Sequence, residues 1–307
     1  MNASPVLWRG VYPAATTQFA EDLSVDLDAT QQVQAALVDD GVDGLVLLGT
    51  CGENNSLEPE EKRAVLRASV EAVGGRVPLV AGVSELTTAR AVQYARDAEA
   101  IGVSALMVLP AMVYVPTVEE LQAHLRAVAA ATALPIMLYN NPAAYRVSMS
   151  FELLDGLRDV ANIIALKESE PDTRRFTDIA NRYGDRFTMM AGLDDVALEG
   201  LLLGASGWVS GLTSAFPAES VRFVSAVYEG RVEEARAIYR WFMPLLHLDS
   251  VPDLVQCIKL AEQVMGRGNE RVRMPRMPLS GARREQVIAW VERCAETRPG
   301  APFPLAA

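Results

Sequence analysis

Lysine is nearly missing from this chain of 307 residues. Lys62, Lys167 and Lys259 are the only three among 28 cationic side chains, the rest being arginine. Histidine (His124, His247) and cysteine (Cys51, Cys257, Cys294) are equally scarce. Each shortage excludes something. Two histidines do not furnish a zinc site of the His-rich catalytic type. Three scattered cysteines with no C-x-x-C make neither a disulfide framework nor a thiolate metal site. Basic residues are outnumbered, 28 against 39 acids, for a net charge of −11. Such a surface does not displace counterions from phosphates, which argues against a nucleic-acid partner. No apolar run approaches the roughly 20 residues that a membrane helix needs. Met1 to Gly10 lacks a charged segment followed by an apolar one, the mark of a secretory leader. The expectation is a soluble cytoplasmic protein with neither nucleic acid nor membrane as partner. A GC-rich genome suffices to explain why arginine replaces lysine, but not where the remaining lysines stand.

What is present is a regular alternation. Short runs rich in Val, Ile and Leu read as strands at 11–16, 44–48, 78–81, 105–109, 135–139, 163–166, 188–191 and 207–210. Amphipathic, Ala-rich stretches between them read as helices at 26–40, 59–73, 87–100, 117–131, 150–157, 173–183 and 194–203. Ser24, Ser56 and Thr117 stand where helix caps belong, with Pro59 and acids in the first turn after Ser56. Eight strands in strict βα alternation imply a parallel sheet with right-handed crossovers. Eight over about 210 residues fit a closed (β/α)₈ TIM barrel. A doubly wound open sheet is the runner-up, weakened by the lack of a G-x-G-x-x-G after the first strand. Beyond residue 215 the strand signals stop, and helices are expected at 218–228, 232–248, 254–265 and 282–296. The expected division is a barrel carrying the active site over residues 1–225 and a helical C-terminal domain over 226–307, with a loose tail from 297.

In such barrels chemistry gathers at the C-terminal ends of the strands. Strand two is followed by Gly49-Thr50-Cys51-Gly52-Glu53, strand five ends in Tyr139 and leads into Asn140-Asn141-Pro142, strand six is followed by Lys167-Glu168-Ser169, and strand seven by Gly192-Leu193-Asp194-Asp195. Lys167 closes a buried-strand composition, and lysine is almost never buried unless paired or functional. An amine among apolar side chains loses its preference for the charged form and becomes a nucleophile toward a ketone carbonyl. The competing reading is a strand-end lysine pointing to solvent. Tyr139 is a candidate proton carrier; packing is its competing role. The glycine-flanked Thr50-Cys51 turn reads as a nest whose backbone N–H groups hold a carboxylate, or as a plain βα turn. Glu53 reads as a general-base candidate or, in preference, as a helix-start residue. Lys62, Lys259, His124 and His247 read as surface or packing residues, and Cys51 as a weak nucleophile candidate.

Taken together, Gly49-Thr50-Cys51-Gly52-Glu53, Tyr139-Asn140-x-Pro142 and Lys167-Glu168-Ser169 resemble the dihydrodipicolinate synthase / N-acetylneuraminate lyase family of class I aldolases, over nearly the whole chain. The resemblance implies a (β/α)₈ barrel with a helical C-terminal domain, usually a homotetramer, that forms a Schiff base with a 2-oxo acid. It implies Lys167 as the Schiff-base lysine and Tyr139 as the acid/base group. The amides of Thr50 and Cys51 would hold the substrate carboxylate, and Val209 would present the strand-eight carbonyl. Three departures argue against lysine biosynthesis. Ala144 stands where synthases carry an arginine, Cys51 replaces a threonine, and Pro110-Ala111-Met112-Val113-Tyr114 replaces Pro-Tyr-Tyr, leaving Tyr114 as the candidate cross-subunit tyrosine. The opening Trp8–Thr17, Gly52-Glu53-Asn54, Tyr139-Asn140-Asn141-Pro142 and Leu245-Leu246-His247-Leu248-Asp249 are similar to enzymes that deaminate 1-pyrroline-4-hydroxy-2-carboxylate. The preferred expectation is therefore a deaminating hydro-lyase on that pyrroline, working without metal or organic cofactor. The alternatives are a pyruvate-dependent aldolase or synthase of the dihydrodipicolinate synthase type, and a 2-keto-3-deoxy sugar acid dehydratase or aldolase. A barrel that binds a small acid without chemistry is the alternative of another class.

Overall fold

The structure, a computed structural model, describes residues 8–110 and 114–299. Residues 1–7, residues 111–113 just before Tyr114, and tail residues 300–307 lie outside the described residues. The barrel elements run β1 (Gly10–Pro13), α1 (Leu27–Asp39), β2 (Leu45–Leu47), α2 (Pro59–Val73), β3 (Leu79–Val83), α3 (Thr88–Ile101), β4 (Ala105–Val108), α4 (Val118–Ala129), β5 (Ile136–Asn140), α5 (Pro142–Tyr145), α6 (Phe151–Asp155), β6 (Ile163–Glu168), α7 (Arg174–Tyr183), β7 (Thr188–Ala191), α8 (Ala197–Leu202) and β8 (Gly207–Ser210). Four further helices follow: α9 (Pro217–Tyr228), α10 (Val232–Leu246), α11 (Leu254–Val264) and α12 (Gly281–Glu296). None of the described helices is long and apolar enough to cross a membrane.

Every strand pair is parallel, in the order β1-β8-β7-β6-β5-β4-β3-β2. The ring closes between β1 and β2 through Asp43 N donating to Val11 O at 2.9 Å and Ala15 N to Val46 O at 2.9 Å. The eight-stranded barrel is as the sequence pattern implies. Strand residues alternate faces. Tyr12, Val46, Val80, Met107, Met137, Tyr139, Ala165, Met190 and Val209 fill the barrel interior, while Leu138 and Leu166 face the helices. β6 runs to Glu168, two residues past the expected end, so Lys167 stands inside the strand. Being two residues beyond Ala165, it shares the inward parity.

Helix starts follow local chemistry. α2 begins with Pro59 behind Glu58, whose side chain forms a capping box with Glu61, and ends at left-handed Gly74. Thr117 caps α4 as expected. Ser24 does not cap α1, because Val25 is bridged to Phe19 and the helix starts only after it. Asp26 Oδ1 accepts from Ala29 N instead. Nor is Ser56 the cap of α2; it ends a 3₁₀ turn, Asn54–Ser56. The expected helix at 232–248 stops at Leu246, and a 3₁₀ turn, His247–Ser250, carries the chain onward.

The helical C-terminal region docks on the barrel through buried polar contacts. Lys259 Nζ reaches Glu53 Oε1 at 3.1 Å and Thr17 O at 2.8 Å, with both side chains of the ion pair fully buried. Glu262 accepts from Thr16 Oγ1 at 2.7 Å. Lys62 is also buried and paired, with Glu85 at 2.6 Å. Neither lysine is a surface residue. Local sequence shows only charged or amphipathic helix turns there, and the partners come from other elements.

Candidate active site

The parallel register sets Tyr139 directly beside Lys167. Both point into the barrel at its C-terminal end, with Lys167 Nζ 4.0 Å from the centre of the Tyr139 ring. The next register pair, Asn140 and Glu168, faces the other way and fixes the two strand ends. Asn140 Nδ2 donates to Glu168 Oε1 at 2.6 Å, Asn140 Oδ1 accepts from Met149 N at 2.8 Å, and Arg175 pairs with Glu168. Gly192, after β7, provides clearance: a Cβ there would lie 2.5 Å from Lys167 Cγ. Lys62 and Lys259 each have a carboxylate partner. Lys167 makes no ion pair with any described residue, although it is 6 % exposed.

The Tyr-Asn-Asn-Pro string builds a short turn that holds the phenol. Asn141 Oδ1 caps α5 by accepting from Ala144 N at 3.0 Å, and its Nδ2 donates to Tyr139 Oη at 3.0 Å. Burial pushes the Tyr139 phenol above its ordinary range, so it stays protonated near neutrality. α5 also delivers Tyr145, which the sequence reading missed. Its ring meets that of Tyr139 edge-on at 5.6 Å, and its hydroxyl hydrogen-bonds that of Thr50. Tyr114 is 60 % exposed and is not brought to this cluster.

The turn after β2 has a different basis from the one expected. Its left-handed residues are Leu48, with φ 53°, and Glu53, with φ 54°. Gly52 is needed for clearance instead, since a Cβ there would sit 2.7 Å from Leu48 N. The amides of Thr50 and Cys51 donate to no backbone carbonyl among the described residues, while Glu53 N and Asn54 N close the turn on Thr50 O and Gly49 O. Those two amides are thus available to an anion. The Cys51 thiol is pushed up strongly by burial, which makes it a poor nucleophile. Glu53 starts a 3₁₀ turn, as a helix-start residue does, but its side chain is the buried partner of Lys259.

Two connected chambers lie over these groups. A narrow inner one of about 40 Å³ is lined by Thr50, Cys51, Tyr139, Tyr145 and Lys167 among others. An outer cleft of about 660 Å³ is lined by Asn141, Ala143, Ala144, Ser169, Leu193 and Asp195, and by residues 249–252 and 254 of the C-terminal helical region. Val209 faces the barrel interior but does not line either chamber; Gly211, two residues on, does. Asp249 lines both chambers. Burial raises its carboxyl to about 6, against the pull of Lys167. Asp194 sits behind it, fully buried, accepting from Trp208 Nε1, Ser210 Oγ and Leu212 N at 3.0–3.1 Å. Burial and the Asp249 charge push Asp194 upward. Asp194 was visible after strand seven, and Asp249 stood in the quoted Leu245–Asp249 string, but nothing local showed that the two meet. Among the described residues no His, Cys, Asp and Glu cluster is arranged to hold a metal ion.

The model of the dihydrodipicolinate synthetase family matches residues 7–294 of the chain. A 4-hydroxy-tetrahydrodipicolinate synthase of Moorella thermoacetica is 35 % identical over 91 % of this chain and 94 % of the relative. One of Sorangium cellulosum is 33 % identical over 94 % of this chain and 97 % of the relative. Among solved structures, a dihydrodipicolinate synthase of Agrobacterium tumefaciens superposes with a TM-score of 0.87 at 31 % identity, covering 94 % of this chain and 98 % of the other. A prophage protein of E. coli K12 in the same family, solved in complex with pyruvate, superposes at 0.89 with 27 % identity, covering 94 % and 99 %.

Proposed function

The chain belongs to the dihydrodipicolinate synthetase family, and from that premise we propose that it is a class I lyase that joins pyruvate to a second carbonyl compound, or releases it, through a Schiff base on Lys167. One observation carries the reading. Of three lysines, all buried, two are paired with carboxylates, whereas Lys167 has no carboxylate partner among the described residues, faces inward and lines the chamber. The amine attacks C2 of pyruvate, and the C2–O bond breaks as water leaves. The imine then draws electrons from C3, which loses a proton to give an enamine. The enamine carbon bonds to the carbonyl carbon of the second reactant, whose oxygen takes up a proton. Water finally hydrolyses the imine and frees the lysine. Tyr139, protonated and beside the amine, supplies and recovers the protons. The amides of Thr50 and Cys51 anchor the pyruvate carboxylate, and Val209 belongs to the strand-eight wall behind it.

The relatives' names, 4-hydroxy-tetrahydrodipicolinate synthase, and the pyruvate complex of the E. coli protein support this pyruvate-dependent reading. The deaminating hydro-lyase on 1-pyrroline-4-hydroxy-2-carboxylate, preferred from the sequence, draws no support from them and gives way to it. Assembly as a homo-oligomer rests on the family resemblance and is read by analytical ultracentrifugation. The functional test is borohydride reduction in the presence of pyruvate. A reduced adduct mapped to Lys167 by mass spectrometry is the expected result, lost in Lys167→Arg, whose guanidinium stays protonated. An unchanged mass with pyruvate and other 2-oxo acids overturns the reading in favour of a binding barrel.

A further inference from the structure

The cleft is one-sided in charge. Among the described residues that line its two chambers, Lys167 is the only cation, whereas Asp195 and Asp249 are acids. Asp249 is the only charged side chain common to both chambers, so it stands at the neck between the amine and the outer cleft. It comes from the 3₁₀ turn after α10, held against the β7 loop by His247 Nδ1 to Asp195 Oδ2 at 2.9 Å. Among the described residues its Oδ2 accepts only a long bond, from Asp194 N at 3.4 Å. Its Oδ1 accepts none from the described residues and lies 3.1 Å from where a Cβ on Gly211 would stand. The groups facing it are Lys167, which attracts its charge, and Asp194, Asp195, Cys51 and the Tyr139 phenol. Across the same cleft the Ser169 hydroxyl is buried beside the Tyr139 phenol, which it can reach as a donor, and meets the hydrogen-bond geometry with none of the described residues. Ala143, Ala144, Pro171, Val196, Val251 and Leu254 supply apolar wall between them.

One carboxylate of a 2-oxo acid is accounted for by the amides of Thr50 and Cys51. A second would enter a site whose only lining cation among the described residues, Lys167, is already committed to the imine, and would be opposed there by Asp249, a like-charge contact. A hydroxyl in the same place donates to Asp249 and accepts from Ser169, leaving both polar groups satisfied. We propose that Asp249 determines specificity in this cleft: it turns away a second carboxylate and takes the hydroxyl of an uncharged second reactant, so that the 2-oxo acid handled is a hydroxylated monocarboxylate. The proposal rests on the Schiff-base reading and names its substrate class.

The test uses borohydride trapping on the full chain with two oxo acids of matched length, 5-hydroxy-2-oxopentanoate and 2-oxoglutarate, with pyruvate as the reference. The readout is the ratio of half-saturating concentrations for the Lys167 adduct, taken within each variant so that any effect of Asp249 on Lys167 divides out. The native chain is expected to favour the hydroxy acid at least tenfold, and Asp249→Asn and Asp249→Ser to bring the ratio to within about threefold of unity. If the native chain traps pyruvate but shows no preference, or favours 2-oxoglutarate, the proposal is overturned. It is equally overturned if the preference survives in both variants. If no oxo acid is trapped, pyruvate included, the Schiff-base reading itself fails and takes this proposal with it.

Discussion

Lys259→Met separates a buried structural lysine from the reactive one. Lys259 and Glu53 have no exposed side-chain surface and meet at 3.1 Å. Nζ also donates to Thr17 O at 2.8 Å and lies 4.4 Å from the centre of the Phe19 ring. Burial draws the amine's pKa down and Glu53 holds it up, the signature of a pair whose desolvation is offset by its partner. Methionine keeps most of the volume, so little cavity term arises. It removes the cation and leaves Glu53 buried with Arg273 N at 3.1 Å and Arg276 Nη1 at 3.8 Å. Breaking one side of a buried pair costs about 3–5 kcal/mol. Unfolding entropy of about 2.1 cal/mol/K per residue gives a chain of 307 residues roughly 0.6 kcal/mol/K. The expected fall in Tm is therefore about 5–8 °C, read by calorimetry or circular dichroism. Because Glu53 begins where the Thr50-Cys51 turn ends, the half-saturating pyruvate concentration for the Lys167 adduct should rise as well. Adding Glu53→Gln removes the stranded charge and should recover part of the loss. A Tm change under about 2 °C, or a double variant that loses the full sum of the single effects, would refute the argument from pair burial.

Tyr139→Phe should lower turnover by about 10²–10⁴-fold while an adduct still accumulates slowly on Lys167; steady-state kinetics beside borohydride trapping measure the split, and unchanged turnover removes Tyr139 from proton transfer. Glu262 gives a pH signature. Burial raises its carboxyl to about 7 from the ordinary 4.5, so between those values the folded chain holds a proton that the unfolded chain has released. Stability from this group is intact below pH 4.5, falls as pH rises through the window, and the penalty is complete above about 7. Its size is on the order of 3 kcal/mol. Glu262→Gln should match the native chain near pH 5 and exceed its Tm near pH 8; parallel pH profiles for the two proteins contradict this. Cys51, buried with its thiol pushed up, should resist iodoacetamide at pH 8 in the folded chain and react only on unfolding, as peptide mapping would show. Rapid alkylation of Cys51 in the native state would reopen its candidacy as a nucleophile.

The amino-acid sequence by itself determined the barrel and the central pair. Period-two alternation and strict βα order are local patterns, and they fix both strand count and side-chain parity. Tyr139 and Lys167 follow from them, since inward parity two residues past Met137 and Ala165 places both in the barrel. The scarcity of lysine and its strand-end place pointed at Lys167, but the burial and pairing of Lys62 and Lys259 were not legible, because neither is a local property. Glu53 and Lys259 are 206 residues apart, and only the docking of α11 on the β2 loop brings them together. Asp249 stands just past the expected helix 232–248, and only the 3₁₀ turn that follows Leu246 carries it to the barrel mouth. Tyr145 reaches Thr50 across 95 residues because Asn141 and Pro142 wind α5 back over the site. Tertiary structure thus decided which charges are satisfied, which lysine stands unpaired and what lines the cleft. Those properties depend on distances between elements, and elements far apart in the chain meet only when the barrel closes and the helical region packs against it.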